Sequence, residues 1–161
     1  MAPRPKSARN RDPAAQRAEA RLRLEEARVH EANRRFYQAL ESLCLEDMEA
    51  VWLSSPAARC VHPGWPPLEG WSDIRESWSR IFAHTHQLEV AIDQVRLQIA
   101  GPVAWVTCLE EVHSLVEGRM DRAQLCATNV FVLAGGEWRL ALHHASHLPD
   151  LPEPAGSETI Q

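Results

Sequence analysis

Gly135 and Gly136 lie between two runs of alternating residues, and this arrangement restricts the fold more than any other part of the sequence. A period of two places successive side chains on opposite faces of a strand. A Gly-Gly pair between two such runs favours the tight turn of a β-hairpin. We therefore predict a hairpin over residues 125–147. One face of it would carry Leu125, Ala127, Asn129, Phe131 and Leu133 from the first strand and Trp138, Leu140, Leu142, His144 and Ser146 from the second.

The sequence before this hairpin predicts three helices followed by further strands. Apolar residues at three- and four-residue steps predict a long helix over residues 14–43, or two with a break near His30, and shorter helices over 45–53 and 71–84. Alternating patterns predict strands over 88–99, 103–116, 122–133 and 137–146, with a bulge between Asp93 and Gln94. This order indicates an α+β fold with helices on one face of a curved antiparallel sheet. We expect a pocket in the hollow between sheet and helices.

Composition and charge limit the function classes. The chain has 161 residues and a net charge of −5, of which the first 30 residues contribute +4 and the remainder −9. An acidic body argues against a nucleic-acid-binding face on the domain. The four widely spaced cysteines predict free thiols, and no apolar run approaches the roughly 20 residues that span a bilayer. We expect a cytoplasmic protein with no membrane segment and no cofactor.

The chain divides into four predicted segments. Residues 1–13 form a disordered basic tail and residues 14–31 a helical N-terminal extension. Residues 32–148 form the folded domain, and the proline-rich residues 149–161 form a disordered C-terminal tail.

Three stretches carry a resemblance to a known family: FYQAL with CLEDMEAVW, then CVHPGWPPLEGWSDIRESW, then ATNVFVLAGGEWRLALHHAS. Between Ala32 and Leu148 the chain resembles the nuclear transport factor 2-like (NTF2-like) superfamily. It is most similar to the SnoaL-like bacterial proteins, which are related to ketosteroid isomerase and to the association domain of calcium/calmodulin-dependent kinase II. The resemblance implies a cone-shaped curved sheet that encloses a pocket capped by the first and third helices. It does not by itself imply a function, because this fold has many.

The resemblance also implies which residues line the pocket. His62, before Pro63, occupies the position of the isomerase's general-base carboxylate, and an imidazole there could move a proton near neutral pH. The alternative is that His62 only hydrogen-bonds a loop backbone. The other candidates are Asn129 and His144 to orient a carbonyl group, and a ligand-binding wall made of Phe36, Trp52, Trp65, Trp78, Trp105, Thr107 and Phe131.

Two departures from the relatives narrow the chemistry. Phe36, although Tyr37 is adjacent, occupies the position of the isomerase's donor tyrosine, and Thr128 and Asn129 occupy the region of its strand acid. Without strong donors a dienolate would be poorly stabilised, so we do not expect steroid isomerisation.

On a regular strand His144 points inward and its neighbour His143 outward, so we predict no metal site.

Three functions remain open at this level. The first is a protein that binds a small, mostly apolar organic ligand. The second is a cofactor-independent isomerase, hydratase or cyclase-like enzyme with His62 as the base. The third is an oligomerisation module with a vestigial pocket. We also predict a homodimer formed through the outer face of the sheet, whose apolar residues would include Val106, Cys108, Val112, Val130 and Val132.

Overall fold

The computed structural model describes residues 12–149, so the two predicted tails lie almost entirely outside the described residues. The elements, in chain order, are α1 (Pro13–Ser42), α2 (Leu45–Val51), β1 (Arg59–Val61), β2 (Leu68–Glu69), α3 (Trp71–His84), β3 (Thr85–Ala100), β4 (Val103–Val116), β5 (Arg119–Ala134) and β6 (Glu137–His147). The three helices and four long strands match the predicted order.

The first helix is continuous from the N-terminal extension into the domain, without a break at His30. Asp12 caps it by accepting a hydrogen bond from the Ala14 N–H at 2.9 Å. Residues 13–24 are exposed on all sides. Contact with the start of β6 begins at Glu25, whose Oε2 accepts a 2.9 Å hydrogen bond from Trp138 Nε1. Residues 13–24 therefore form a helical projection, whereas the remainder of the predicted extension packs against the domain, with Val29 fully buried.

The sheet has six strands in the order β2-β1-β6-β5-β4-β3. The four long strands β3 to β6 are antiparallel, as predicted. The short β1 instead pairs in parallel with β6, with Cys60 opposite His143, so the sheet as a whole is mixed. The α+β class is confirmed, with helices packed on one face of the sheet.

Bulges in β3 and β6 set which side chains point inward, and a further register shift lies between Thr85 and Gln87 at the start of β3. The predicted bulge in β3 is confirmed by a register shift between Asp93 and Arg96. A second bulge was not predicted: Val130 pairs with Leu142, whereas the next residue of β5 pairs with Leu140, which leaves Ala141 as an extra residue in β6. Because an extra residue changes the phase of a strand, the inward faces of β6 before and after Ala141 differ by one position.

The inward face of β4 is the opposite of the predicted one. Ala104, Val106 and Cys108 are buried, while Trp105 is 38% exposed on the outer face. Thr107 lies on the same outer face as Trp105. The register explains this arrangement, since Val106 is paired with the buried Asn129. The proposal that Trp105 and Thr107 line the interior was wrong in orientation.

Aromatic rings fill the space between the helices and the sheet. Phe36, Trp52, Trp78 and Phe131 are all at most 3% exposed. Burial of such side chains contributes about 1.5–3 kcal/mol each for a ring the size of Phe. These four predicted wall residues therefore form the hydrophobic core around the candidate site.

Candidate functional site

His62 follows directly after β1 and is buried. Its Nε2 lies 2.9 Å from Ser77 Oγ on α3, and Ser77 donates its own proton to the Ile74 carbonyl oxygen at 2.7 Å. Ser77 must therefore accept from His62 Nε2–H, which leaves Nδ1 without the proton. His62 binds a helix hydroxyl rather than a loop backbone, and this bond fixes its tautomer.

Two tryptophan rings enclose His62. Trp78 and Trp65 lie edge-on to the imidazole, with ring centroids 4.5 Å and 5.1 Å away. Burial lowers the pKa of His62 to about 4, because desolvation disfavours the charged imidazolium. The side chain is thus neutral at pH 7 and sealed within the fold.

His143, rather than His144, belongs to the interior. The Nδ1–H of His143 donates to Asn129 Oδ1 at 2.7 Å. Burial lowers the pKa of His143 to about 3, with further lowering from the charges of His62 and His144. Phe36 packs against the imidazole, with ring centroids 4.9 Å apart.

His144 points outward, which corrects the predicted orientation. It is exposed and sits across from Thr128 on β5 and Val61 on β1. The extra residue Ala141 is the cause, since it reverses the alternation after Leu140. His144 therefore cannot join Asn129 in orienting a ligand inside the cone in this conformation.

Tyr37, which is adjacent to the expected donor position, is buried, and its hydrogen-bond partner Glu110 was missed by sequence reasoning. Tyr37 donates from its hydroxyl to Glu110 Oε1 at 2.6 Å. Asn129 Nδ2 donates to Tyr37 Oη at 3.2 Å and to Asn33 Oδ1 at 2.9 Å. A continuous polar network thus runs from Glu110 through Tyr37 and Asn129 to His143.

Burial also sets the protonation of this pair. It raises the pKa of Glu110 above its usual range, against the lowering effect of the hydrogen bond from Tyr37. It raises the pKa of Tyr37 as well, with a further contribution from the nearby Glu110 charge. Glu110 lies two residues after Cys108 and hence on the same face of β4, but the predicted orientation of β4 places that face outward.

A cleft opens between α1 and β3 beside this network, with a volume of about 550 Å³. Asn33 and Tyr37 bring the polar network to its wall. Val90, Ile92 and Val95 of β3 supply an apolar side. The complete lining is His30, Asn33, Arg34, Tyr37, Gln38, Glu41, Val90, Ile92 and Val95.

The remaining predicted residues have different surroundings. Trp65 is 39% exposed in its loop, with the Arg80 guanidinium 5.7 Å from its ring centroid. Trp78 has a buried Nε1–H with no hydrogen-bond partner in the described part of the chain. The structure therefore brings His62, Trp65 and Trp78 together and separates them from Trp105, Thr107 and His144.

Two further observations concern metals and membranes. Within residues 12–149 no group of three or more His, Cys, Asp and Glu side chains is arranged to hold a metal ion. The helices in that part of the chain are too short or too polar to cross a membrane.

Comparison with known proteins agrees with this geometry. A solved structure from Streptomyces avermitilis, described as a proposed dehydratase of the NTF2-like family, is 34% identical. It covers 76% of this chain and 94% of its own, with a TM-score of 0.71. A proposed calcium/calmodulin-dependent protein kinase type II association domain from Thiobacillus denitrificans is 29% identical. It covers 73% of this chain and 92% of its own, with a TM-score of 0.65.

The fold thus defines an NTF2-like protein. The sequence pattern of the SnoaL-like domain matches residues 29–150, and the chain belongs to this SnoaL-like family. The F-box protein SKIP8 of Arabidopsis thaliana is 26% identical over 114 residues, which are 71% of this chain. The chain spans 47% of the length of that protein.

Proposed function

We propose that this protein binds a small, mostly apolar organic molecule in the cleft between α1 and β3. The observation that carries the proposal is the pairing of an apolar strand surface with a polar inner end in one concave site. Val90, Ile92 and Val95 form the apolar surface, and Asn33 and Tyr37 form the polar end.

The dimensions and exposure of the cleft support this proposal. Its volume of about 550 Å³ lies within the range of roughly 300–1,000 Å³ typical of ligand sites. Ile92 is 37% exposed although it lies on the inward face of β3, across from the buried Glu110. An apolar ligand would remove this surface from water, which favours binding.

The experiment is a fluorescence titration with an uncharged naphthalene dye, preceded by native mass spectrometry of the purified protein. We expect saturable binding, and we expect Ile92→Lys to weaken it at least tenfold because the ammonium group would occupy the apolar wall. Leu24→Lys is the matched control, since Leu24 is exposed on the projecting part of α1. Equal binding by both variants would remove the proposal.

Acid–base catalysis is the second candidate, as a cofactor-independent isomerase or lyase. The buried carboxyl of Glu110 beside the cleft favours it, because a raised pKa suits a carboxylic acid to proton donation. His62, the base expected from the sequence, is enclosed by Trp65 and Trp78 and would need their movement to meet a ligand. Loss of catalytic turnover in Glu110→Gln, with turnover retained in His62→Gln, would support Glu110 rather than His62 as the acid–base residue.

We further propose that two copies associate through the outer sheet face. Trp105, Val130 and Leu142 lie side by side there on β4, β5 and β6. Val132 lies on the same face, as expected, whereas Val106, Cys108 and Val112 lie on the inner face. A half-exposed apolar strip across three strands is typical of an interface.

A further inference from the structure

One side of α1 carries a row of arginines. At the pitch of an α-helix, Arg17, Arg21, Arg28 and Arg35 fall within about 40° of one another around the helix axis. We call this row the arginine stripe. Its length from Arg17 to Arg35 is about 27 Å at the rise of an α-helix. No aspartate or glutamate of α1 lies in the same sector, so the stripe is a continuous basic surface.

The stripe differs from the remaining arginines of α1 in its lack of carboxylate partners. Arg23 and Arg34, on the other side of the helix, each bind a glutamate about one turn away. In the stripe only Arg28 has such a partner. The other three arginines of the stripe form no ion pair within residues 12–149. Their guanidinium groups therefore keep their donors for an external anion.

Positive charge is concentrated at the exposed end of this stripe. Residues 1–24 hold seven basic and two acidic side chains, a balance of +5, whereas the rest of the chain holds ten and twenty, a balance of −10. Arg17 and Arg21 lie on the helical projection, which extends about 18 Å from the domain. The screening length at physiological ionic strength is about 8 Å. The acidic domain therefore repels an anion at the tip of the projection only weakly.

The side chains of the projection favour a nucleic-acid duplex over other large anions. The projection has no aromatic side chain, so an unpaired base would find no ring on which to stack. Leu22 and Leu24 lie on opposite sides of the helix, so they do not form the apolar face with which a helix enters a membrane surface. Guanidinium groups bind phosphate oxygens in bidentate pairs, and the major groove of B-DNA, about 12 Å wide, admits an α-helix.

We propose that the helical projection binds the phosphate backbone of double-stranded DNA, with Arg17 and Arg21 as its main contacts. Contacts to phosphate carry no sequence information, so this binding is independent of base sequence. The projection is a surface separate from the cleft between α1 and β3. The proposal therefore goes beyond the proposed ligand function and does not depend on it.

The test is fluorescence anisotropy of the full-length protein with a labelled duplex of mixed sequence, at salt concentrations from about 50 to 200 mM. The double variant Arg17→Gln with Arg21→Gln removes both contacts and keeps good helix formers in α1. Each phosphate contact contributes about 0.9 to the magnitude of the slope of log K against log salt, so the slope should become shallower by about 1.8. Affinity at the lowest salt concentration should fall at least tenfold.

The double variant Arg96→Gln with Arg119→Gln is the matched control. It removes two exposed positive charges from strands of the domain, so the net charge of the protein changes by the same amount. We expect this variant to keep the wild-type affinity and the wild-type salt slope. Far-UV circular dichroism should show equal helix content in the wild type and both variants.

Several results would overturn this assignment. A wild-type protein that does not bind the duplex, or that binds phosphatidylserine vesicles instead, refutes DNA as the partner. Equal affinity for a single strand of the same length refutes recognition of a duplex. An unchanged slope in the Arg17→Gln/Arg21→Gln variant, or equal losses in both double variants, refutes the role of the projection. Ligand binding in the cleft is measured separately and stands or falls on its own titration.

Discussion

Asn129 on β5 and His143 on β6 are joined by a buried hydrogen bond of 2.7 Å, in which the imidazole Nδ1–H donates to the amide oxygen. The same amide group donates from Nδ2 to Asn33 at 2.9 Å, which fixes the orientation of the amide. The bond therefore ties both strands to α1 and holds His143 in one tautomer. It is the central link in the buried network that also contains Tyr37 and Glu110.

Replacement of Asn129 by leucine should destabilise the fold by at least about 1–3 kcal/mol, the cost of one buried polar group left without a partner. The Nδ1–H of His143 and the oxygen of Asn33 would both lose their bonds. Urea unfolding followed by tryptophan fluorescence measures the change. Thr128→Val on the outer face is the control and should change the free energy of unfolding by less than about 0.5 kcal/mol. A similar change in both variants would contradict the role given to the network.

Stability should fall as the pH is lowered from about 6.5 toward 4. The pKa of His62 is lowered from 6.5 to about 4 and that of His143 to about 3, both first by burial. Between these values the unfolded chain binds protons that the folded chain does not, so protonation favours unfolding. Each imidazole contributes up to about 1.4 kcal/mol per pH unit in this window.

The variant His62→Gln removes the contribution of His62, together with the His62 charge that further lowers the pKa of His143. Its free energy of unfolding should decline less steeply than that of the wild type between pH 6.5 and 5, while His143 still contributes. Ser77, Trp65, Trp78 and Cys60 surround His62, and none of them carries a charge near pH 6. Parallel declines in the two proteins, or an NMR titration showing His62 protonated at pH 6, would contradict the assignment.

Glu110 should make the stability depend on pH in the opposite direction, above its usual pKa of 4.5. Burial raises the folded pKa, so the unfolded carboxyl group ionises first and stability falls as the pH rises from 4.5 through the folded value. Glu110→Gln removes this loss, since the amide oxygen can still accept from Tyr37. We expect the variant to gain on the wild type by up to about 1.4 kcal/mol per pH unit within that window. A difference between the two proteins that stays constant from pH 5 to 9 would argue against a buried neutral acid.

Trp105→Asp should shift the protein toward the monomer at micromolar concentration. A carboxylate at the centre of an apolar interface loses water without gaining a partner, which is costly. Sedimentation velocity measures the change. Leu24→Asp introduces the same charge at another exposed apolar position and should leave the wild-type state unchanged. A wild-type protein that is already monomeric would refute the interface itself.

The helices, the long strands and the β3 bulge could be predicted because their patterns have a single clear period. Which side chains of β4 face inward could not be predicted, since Val103 to Val106 and their neighbours are apolar on both faces. Pairing with β5 decides it, and pairing is a long-range property. The Tyr37–Glu110 pair was missed for a related reason: residues 73 apart in the chain meet only when α1 packs on β4. The solid aromatic core likewise depends on packing, and the cleft of the proposed ligand site lies beside β3 instead of beside His62.

Ala141 gives this fold a simple way to change its interior chemistry. With the bulge, an imidazole at position 143 pairs with Asn129, and the one at position 144 faces outward toward Thr128. On an unbulged strand of the same sequence, Leu142 and His144 would point inward and His143 would point outward. A shift of one residue in a single ladder, without any change to a functional side chain, is therefore enough to exchange the β6 side chains that face the buried network with those that face the proposed dimer surface.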